Sequence, residues 1–188
     1  MAENKIYDLI PEMIQILAAE FEPGKVVDRF AAEIEGADAG KREDVASRVF
    51  GEYGARWAVR TLELGEKYTE RTYEIIKEAA KKTGRLAFPH IPQRFIEIGY
   101  LATQPVEILK IVQNNHYALI FGIDRCATHE ALVEKCGEAV AGEMPCRHAC
   151  SAFCGKIFKS LNMDVDYEVE SMMVPGGECR FRVTNKKP

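Results

Sequence analysis

Cysteine is missing from the first 125 residues of this 188-residue chain, and all six cysteines then fall between Cys126 and Cys179. That crowding marks where any thiol chemistry has to sit. No apolar run comes near the roughly 20 residues that span a bilayer, and the amino terminus, Met1-Ala2-Glu3-Asn4-Lys5, does not read as a signal peptide. No basic cluster breaks the balance of a formal net charge of -4 except the short Lys186-Lys187 tail, which argues against a nucleic-acid or anionic-membrane partner. A Gly-rich phosphate loop, a His-Glu-x-x-His helix, a Gly-x-Ser-x-Gly elbow, internal repeats and low-complexity segments are absent too. These absences place the chain in the cytoplasm, where clustered cysteines are metal ligands, reactive thiols or core residues more often than disulfides.

With 47% hydrophobic residues there is enough apolar material for a proper core. The amino-terminal half reads as successive helices. Ile6, Leu9, Ile10, Met13, Ile14 and Leu17 keep helical spacing over residues 4 to 20, Pro23-Gly24 interrupts it, and Val26, Val27, Phe30 and Ala31 resume it. A third helix is predicted from about Arg42 to Gly65 and a fourth from about Tyr68 to Lys82, stopped by Gly84. Prolines 89, 92 and 105 mark residues 85 to 104 as a connector carrying one short helix near Gln93 to Leu101.

Beyond Pro105 the period shortens. Glu107 to Gln113 and Tyr117 to Arg125 flank Asn114-Asn115 and read as a hairpin. Helices follow over His129 to Val140 and Glu143 to Leu161. Val165, Tyr167, Val169 and Ser171 then alternate with acidic residues, and after Pro175-Gly176-Gly177 the residues Cys179, Phe181 and Val183 alternate with Arg180 and Arg182. A three-residue turn would set Ser171 opposite Phe181 and Glu170 opposite Arg182, with Cys179 on the buried face. The fold class is therefore α+β: a helical region over 1–104, then a ββααββ unit over 105–188, the two read as one compact unit, in which two hairpins form a four-stranded antiparallel sheet with helices on one face.

Cys146, Cys150 and Cys154 recur every fourth residue and so form a row on one helix face. Pro145 suits a first helical turn, which puts Cys146 beside free backbone donors and favours its thiolate, as for a nucleophile or a metal ligand. The same residues also make an ordinary core stripe with Ala149, Phe153, Ile157 and Leu161. Cys146 and Cys154 lie about 12 Å apart along the axis. Zinc needs sulfurs within about 4 Å of one another. One ion therefore takes Cys146 with Cys150, or Cys150 with Cys154, and completes itself from Cys179, Cys126 or a carboxylate. An iron–sulfur cluster uses more of the row, although no ferredoxin-type Cys-x2-Cys run is present. The metal set considered is thus Cys146, Cys150, Cys154 and Cys179, carrying zinc or an iron–sulfur cluster. Phe121, Phe153, Tyr167 and Phe181 are the candidate lining of an apolar ligand pocket between sheet and helices, or else plain core. Of the histidines, His148 and His129 read as surface or cap residues, His90 as a loop residue and His116 as a hairpin tip.

The ending Glu168, Ser171, Gly177, Cys179 and Phe181 resembles the 4-vinyl reductase type of ligand-binding domain, whose pattern is Glu-x2-Cys-x7-Cys-x-Phe, with Ser171 in the place of its first cysteine. Cys146 or Cys150 matches that family's upstream cysteine. The resemblance implies zinc under a closed apolar pocket and a ligand-binding role. Strict alternation, however, turns Glu168 away from Cys179 unless a bulge near Met172-Met173 flips the strand.

Glu52-Tyr53-Gly54-Ala55-Arg56-Trp57, Ile123-Asp124-Arg125-Cys126, Pro145-Cys146-x3-Cys150 and Gly176-Gly177-Glu178-Cys179-Arg180-Phe181 together resemble the L-2-amino-thiazoline-4-carboxylic acid hydrolase family, over more of the chain. That family's helix aspartate, a few residues after the cysteine, is absent. This second resemblance implies hydrolytic opening of a small cyclic carbon–nitrogen compound, with Cys146 as nucleophile or metal ligand and Glu143 or His148 as base. Three readings stand open: a cysteine-rich, metal-carrying domain for a small-molecule ligand, such a hydrolase, and a homodimeric interaction scaffold.

Overall fold

A computed structural model describes residues 9–187. Each of the first two helices begins with a proline, where a missing amide proton costs no helical bond: α1 spans Pro11–Glu20 and α2 spans Pro23–Glu33. The predicted first helix starts at residue 4, and its positions 4–8 lie outside the described residues. α3, Ala39–Lys67, is capped by Asp38, whose side chain accepts the Lys41 amide at 2.9 Å. Its buried stripe runs through Val45, Val49, Phe50, Tyr53, Gly54, Trp57 and Ala58. α4, Arg71–Thr83, ends on Gly84 at φ 67°, a left-handed cap that glycine adopts without strain.

The short helix expected near Gln93 to Leu101 is present and longer than expected, so that most of the connector over residues 85 to 104 is helix α5, His90–Thr103. Pro92 sits in its first turn and breaks nothing, while Phe95, Ile96, Ile98 and Tyr100 are buried, so core burial rather than propensity holds this helix.

The strands are β1, Lys110–Asn114; β2, Ala118–Ile123; β3, Val165–Ser171; and β4, Cys179–Asn185. They form one antiparallel sheet in the order β1-β2-β4-β3. The Asn115 side chain closes the first hairpin by accepting the Tyr117 and Ala118 amides at 2.9 and 3.0 Å. Between the hairpins lie α6, Ala127–Cys136; α7, Glu138–Gly142; and α8, Arg147–Ser160. Gly137, at φ 82°, divides what periodicity reads as one helix. The molecule is α+β, with helices against one face of the sheet.

The second hairpin departs from the expected register. Val169, not Ser171, lies opposite Phe181, Glu168 lies opposite Arg182, and Ser171 meets Arg180 after an irregularity between Val169 and Ser171. The connection is longer than a three-residue turn because Met173–Gly176 forms a helical turn, the Ser171 hydroxyl donates to the Glu178 carbonyl at 3.1 Å, and the Met173 amide donates to the Cys179 sulfur at 3.3 Å. A two-residue slip preserves which face each side chain takes, so Cys179 still points inward with Phe181. Glu168 is exposed and faces Arg182 across the ladder, away from the cysteines.

One core runs through both parts of the chain. The α3–α8 crossing is so close that a Cβ on Gly54 would stand 2.1 Å from the Ala149 carbonyl oxygen. Trp57 of α3 stacks on Phe153 of α8 with ring centroids 3.8 Å apart. Tyr100 then joins the helices to the sheet, 5.1 Å from Trp57 and 6.0 Å from Phe121. Among the described residues no helix is long and apolar enough to cross a membrane.

Candidate functional site

Four cysteines border one cavity where the sheet ends against the helices. Cys126 leaves β2 and stands at the N-cap of α6, Cys146 occupies the N-cap of α8, Cys150 follows one turn into α8, and Cys179 opens β4. All four line one small cavity of about 10 Å³, walled otherwise by Ile123, Met144, Val169, Met172, Phe181 and Arg147. That is room for about one water or one ion. The pairing of Ile123 with Cys179 across β2 and β4 is what brings the start of α6 beside the last strand.

Cys154 is not in this group. It is fully buried one turn further along α8, against the Tyr100 and Tyr167 rings, and burial pushes its thiol up to about 12. The structure therefore brings together Cys146, Cys150 and Cys179 from the predicted metal set, and supplies Cys126 in place of Cys154. Cys136, at the last turn of α6, is also apart, its thiol raised by partial burial.

The thiol most disposed to ionise is Cys126. Its sulfur lies beside the Cys146 thiol and the His129 and Thr128 amides, without closing a full cap hydrogen bond. These contacts outweigh burial and bring it down to about 7. Cys146 moves the other way, well above the usual thiol range, because its proton is held by Cys126 and it is buried in apolar surroundings. Pro145 does start the turn that leads into α8, but the Cys146 side chain turns toward Cys126, so the expectation of a favoured Cys146 thiolate is corrected. Burial raises Cys150 strongly and Cys179 to about 11, the latter opposed by the Met173 amide.

The expected bases do not reach the cavity. Glu143 pairs with Arg42, and His148 lies 2.9 Å from Glu43 on the surface. Arg147 borders the cavity but spends its guanidinium on Glu43 and on the Glu143 and Met144 carbonyls. His129 is different: its Nε2 is buried with no hydrogen-bond partner, one turn from Cys126.

The aromatic residues expected to line a ligand pocket fill core instead. Phe121, Phe153 and Phe181 are buried and packed around Tyr100, and Tyr167 stacks on Phe181 at 6.0 Å. Of these, only Phe181 borders the cysteine cavity. Sequence reasoning gave Cys126 only as one of several completing ligands. Its signal was a cysteine at the exit of a strand and directly before Ala127-Thr128, where a helix starts two residues earlier than periodicity indicates.

As they stand, the sulfurs are not a preformed ligand set: among the described residues no group of three or more His, Cys, Asp or Glu side chains could hold a metal ion.

The chain matches no family model, no curated protein and no solved structure. The two resemblances therefore rest on their motifs, and those motifs now have physical positions. Tyr53 donates to the Phe21 carbonyl at 2.7 Å, Gly54 permits the α3–α8 crossing, Trp57 stacks on Phe153, and the cysteines of the other three motifs line one cavity.

Proposed function

We propose that this chain binds one thiophilic metal ion of the zinc class through Cys126, Cys146, Cys150 and Cys179. A single observation supports this reading: four thiols carried by three elements, α6, α8 and β4, meet on one apolar void of atomic size. The donor chemistry suits a soft ion, and the volume suits one ion rather than a cluster of several irons and sulfides. The ion would supply a structural tie between α6, α8 and the last strand. Burial raises the Cys146, Cys150 and Cys179 thiols, and the side chains have to draw together to make a ligand set. Binding has to displace the thiol protons, so it strengthens as pH rises.

The test is elemental analysis of reduced protein loaded with zinc without oxygen and then desalted. About one zinc per chain is expected, lost in Cys126→Ser, Cys146→Ser, Cys150→Ser and Cys179→Ser and retained in Cys136→Ser. Zinc at background in the parent protein, or full zinc in Cys126→Ser, overturns the reading.

One observation favours a second reading. The Cys126 sulfur, beside the α6 amides and with its ionisation favoured, has the setting of a nucleophile for opening a small cyclic carbon–nitrogen compound, provided the cavity of about 10 Å³ opens to admit the ring. In that case the nucleophile is Cys126 rather than Cys146, and turnover of 2-amino-thiazoline-4-carboxylate disappears in Cys126→Ala while folding by circular dichroism survives. Full turnover in that variant excludes this second reading.

A further inference from the structure

We infer that Cys126 and Cys146 form a peroxide-responsive disulfide pair, with Cys126 the thiol that is attacked first and Cys146 the one that resolves it. Three observations carry this. The two residues border the same small cavity although their positions are separated by the whole of α6 and α7. Cys126 is partly exposed as a residue, whereas Cys146 is 4% exposed, which makes Cys126 the nearer of the two to solvent. The void beside them has about 10 Å³, which admits a molecule on the scale of water or hydrogen peroxide and shuts out a bulky peptide disulfide.

The chemistry is that of a small hydroperoxide as oxidant. The Cys126 sulfur attacks one peroxide oxygen, the O–O bond breaks, and the thiol proton leaves with the departing oxygen as water. Cys126 is then a sulfenic acid. The Cys146 sulfur attacks the sulfenic sulfur, the S–O bond breaks, and the Cys146 proton leaves with that hydroxyl as a second water. Two thiols and one hydrogen peroxide thus give one disulfide and two waters. The bond joins the start of α6 to the start of α8. It removes two of the four cavity thiols from service as ligands, but it forms without any ion and does not depend on metal binding.

Metal-free, reduced full-length protein treated with hydrogen peroxide is the test, read by thiol titration and peptide mass mapping. Two of the six thiols should disappear, the mass should fall by about 2 Da as two hydrogens leave, and the Cys126 and Cys146 peptides should be crosslinked within one chain. In Cys146→Ser the reaction should stop at Cys126 as a sulfenic acid trapped by dimedone. In Cys126→Ser, Cys146 should remain a thiol at the same dose. Glutathione disulfide should act far more slowly than peroxide. A bond between any other pair, a bond between chains, or retention of all thiols at a dose that oxidises free cysteine overturns the inference. Because the protein is metal-free, these outcomes are separate from the zinc stoichiometry: a disulfide without zinc binding, or zinc binding without a disulfide, settles one question and not the other.

Discussion

Cys126 differs from the other five cysteines in the groups that its sulfur meets. Burial alone raises a thiol, as it does at Cys150, Cys154 and Cys179. At Cys126 the partner thiol and two helix-terminal amides win against it. The sign follows directly: a thiol brought down to about 7 is substantially thiolate at neutral pH, where the others remain protonated. Brief treatment of the metal-free protein with iodoacetamide at pH 7 should label Cys126 ahead of Cys146, Cys150, Cys154 and Cys179. Its rate should level off above about pH 8, one unit past that midpoint. Peptide mass mapping checks both, and fastest labelling at Cys146 contradicts the assignment. At this scale the sequence showed which thiols share a helix face but not which sulfur meets which, because Cys126 reaches the group only through the β2–β4 pairing.

At the level of elements, the tightest constraint is the α3–α8 crossing. An alanine normally favours a helix over glycine by about 1 kcal/mol. At Gly54 the added methyl would fall on the Ala149 backbone, which has no side-chain freedom with which to give way. The two helices must part, and Gly54→Ala should destabilise by about 3 kcal/mol, the upper part of the overpacking range. Tyr53→Phe removes the buried bond to the Phe21 carbonyl and should cost about 1 kcal/mol. Urea unfolding of both variants checks the order, and a neutral Gly54→Ala contradicts the close crossing. Most elements were legible from period and turn residues. α5 was legible only in its middle, near Gln93 to Leu101, because three prolines read as a connector and the burial that extends the helix is tertiary. The β3–β4 register was not legible, since an added helical turn shifts pairing by two without altering the in–out alternation of Val165 to Val169.

For the molecule as a whole, the alternation after Pro105 and the helical period before it were enough to give the α+β class, but not which side chains join the two parts in one core. That junction is also held by charge. Glu43 of α3 is held below the usual carboxylate range because the Arg147 and His148 bonds outweigh its burial, and Glu143 is held low by Arg42. A carboxylate depressed in the folded state contributes above its unfolded value of about 4.3 and loses that contribution as pH falls through the folded value. These groups are largely exposed, so each effect is small. Urea midpoints should therefore be flat from about pH 7 to about pH 5.5 and decline below about pH 4.5, and Glu43→Gln should flatten part of that decline; a midpoint that rises on acidification contradicts these pairings. The most direct test of the central claim is titration of reduced, metal-free protein with cobalt(II) under anaerobic conditions, followed by absorption. Sulfur-to-cobalt charge-transfer bands should saturate at one equivalent, fall in each of the four cavity variants and survive in Cys136→Ser. No thiolate band at one equivalent, or an undiminished band in Cys126→Ser, would contradict it.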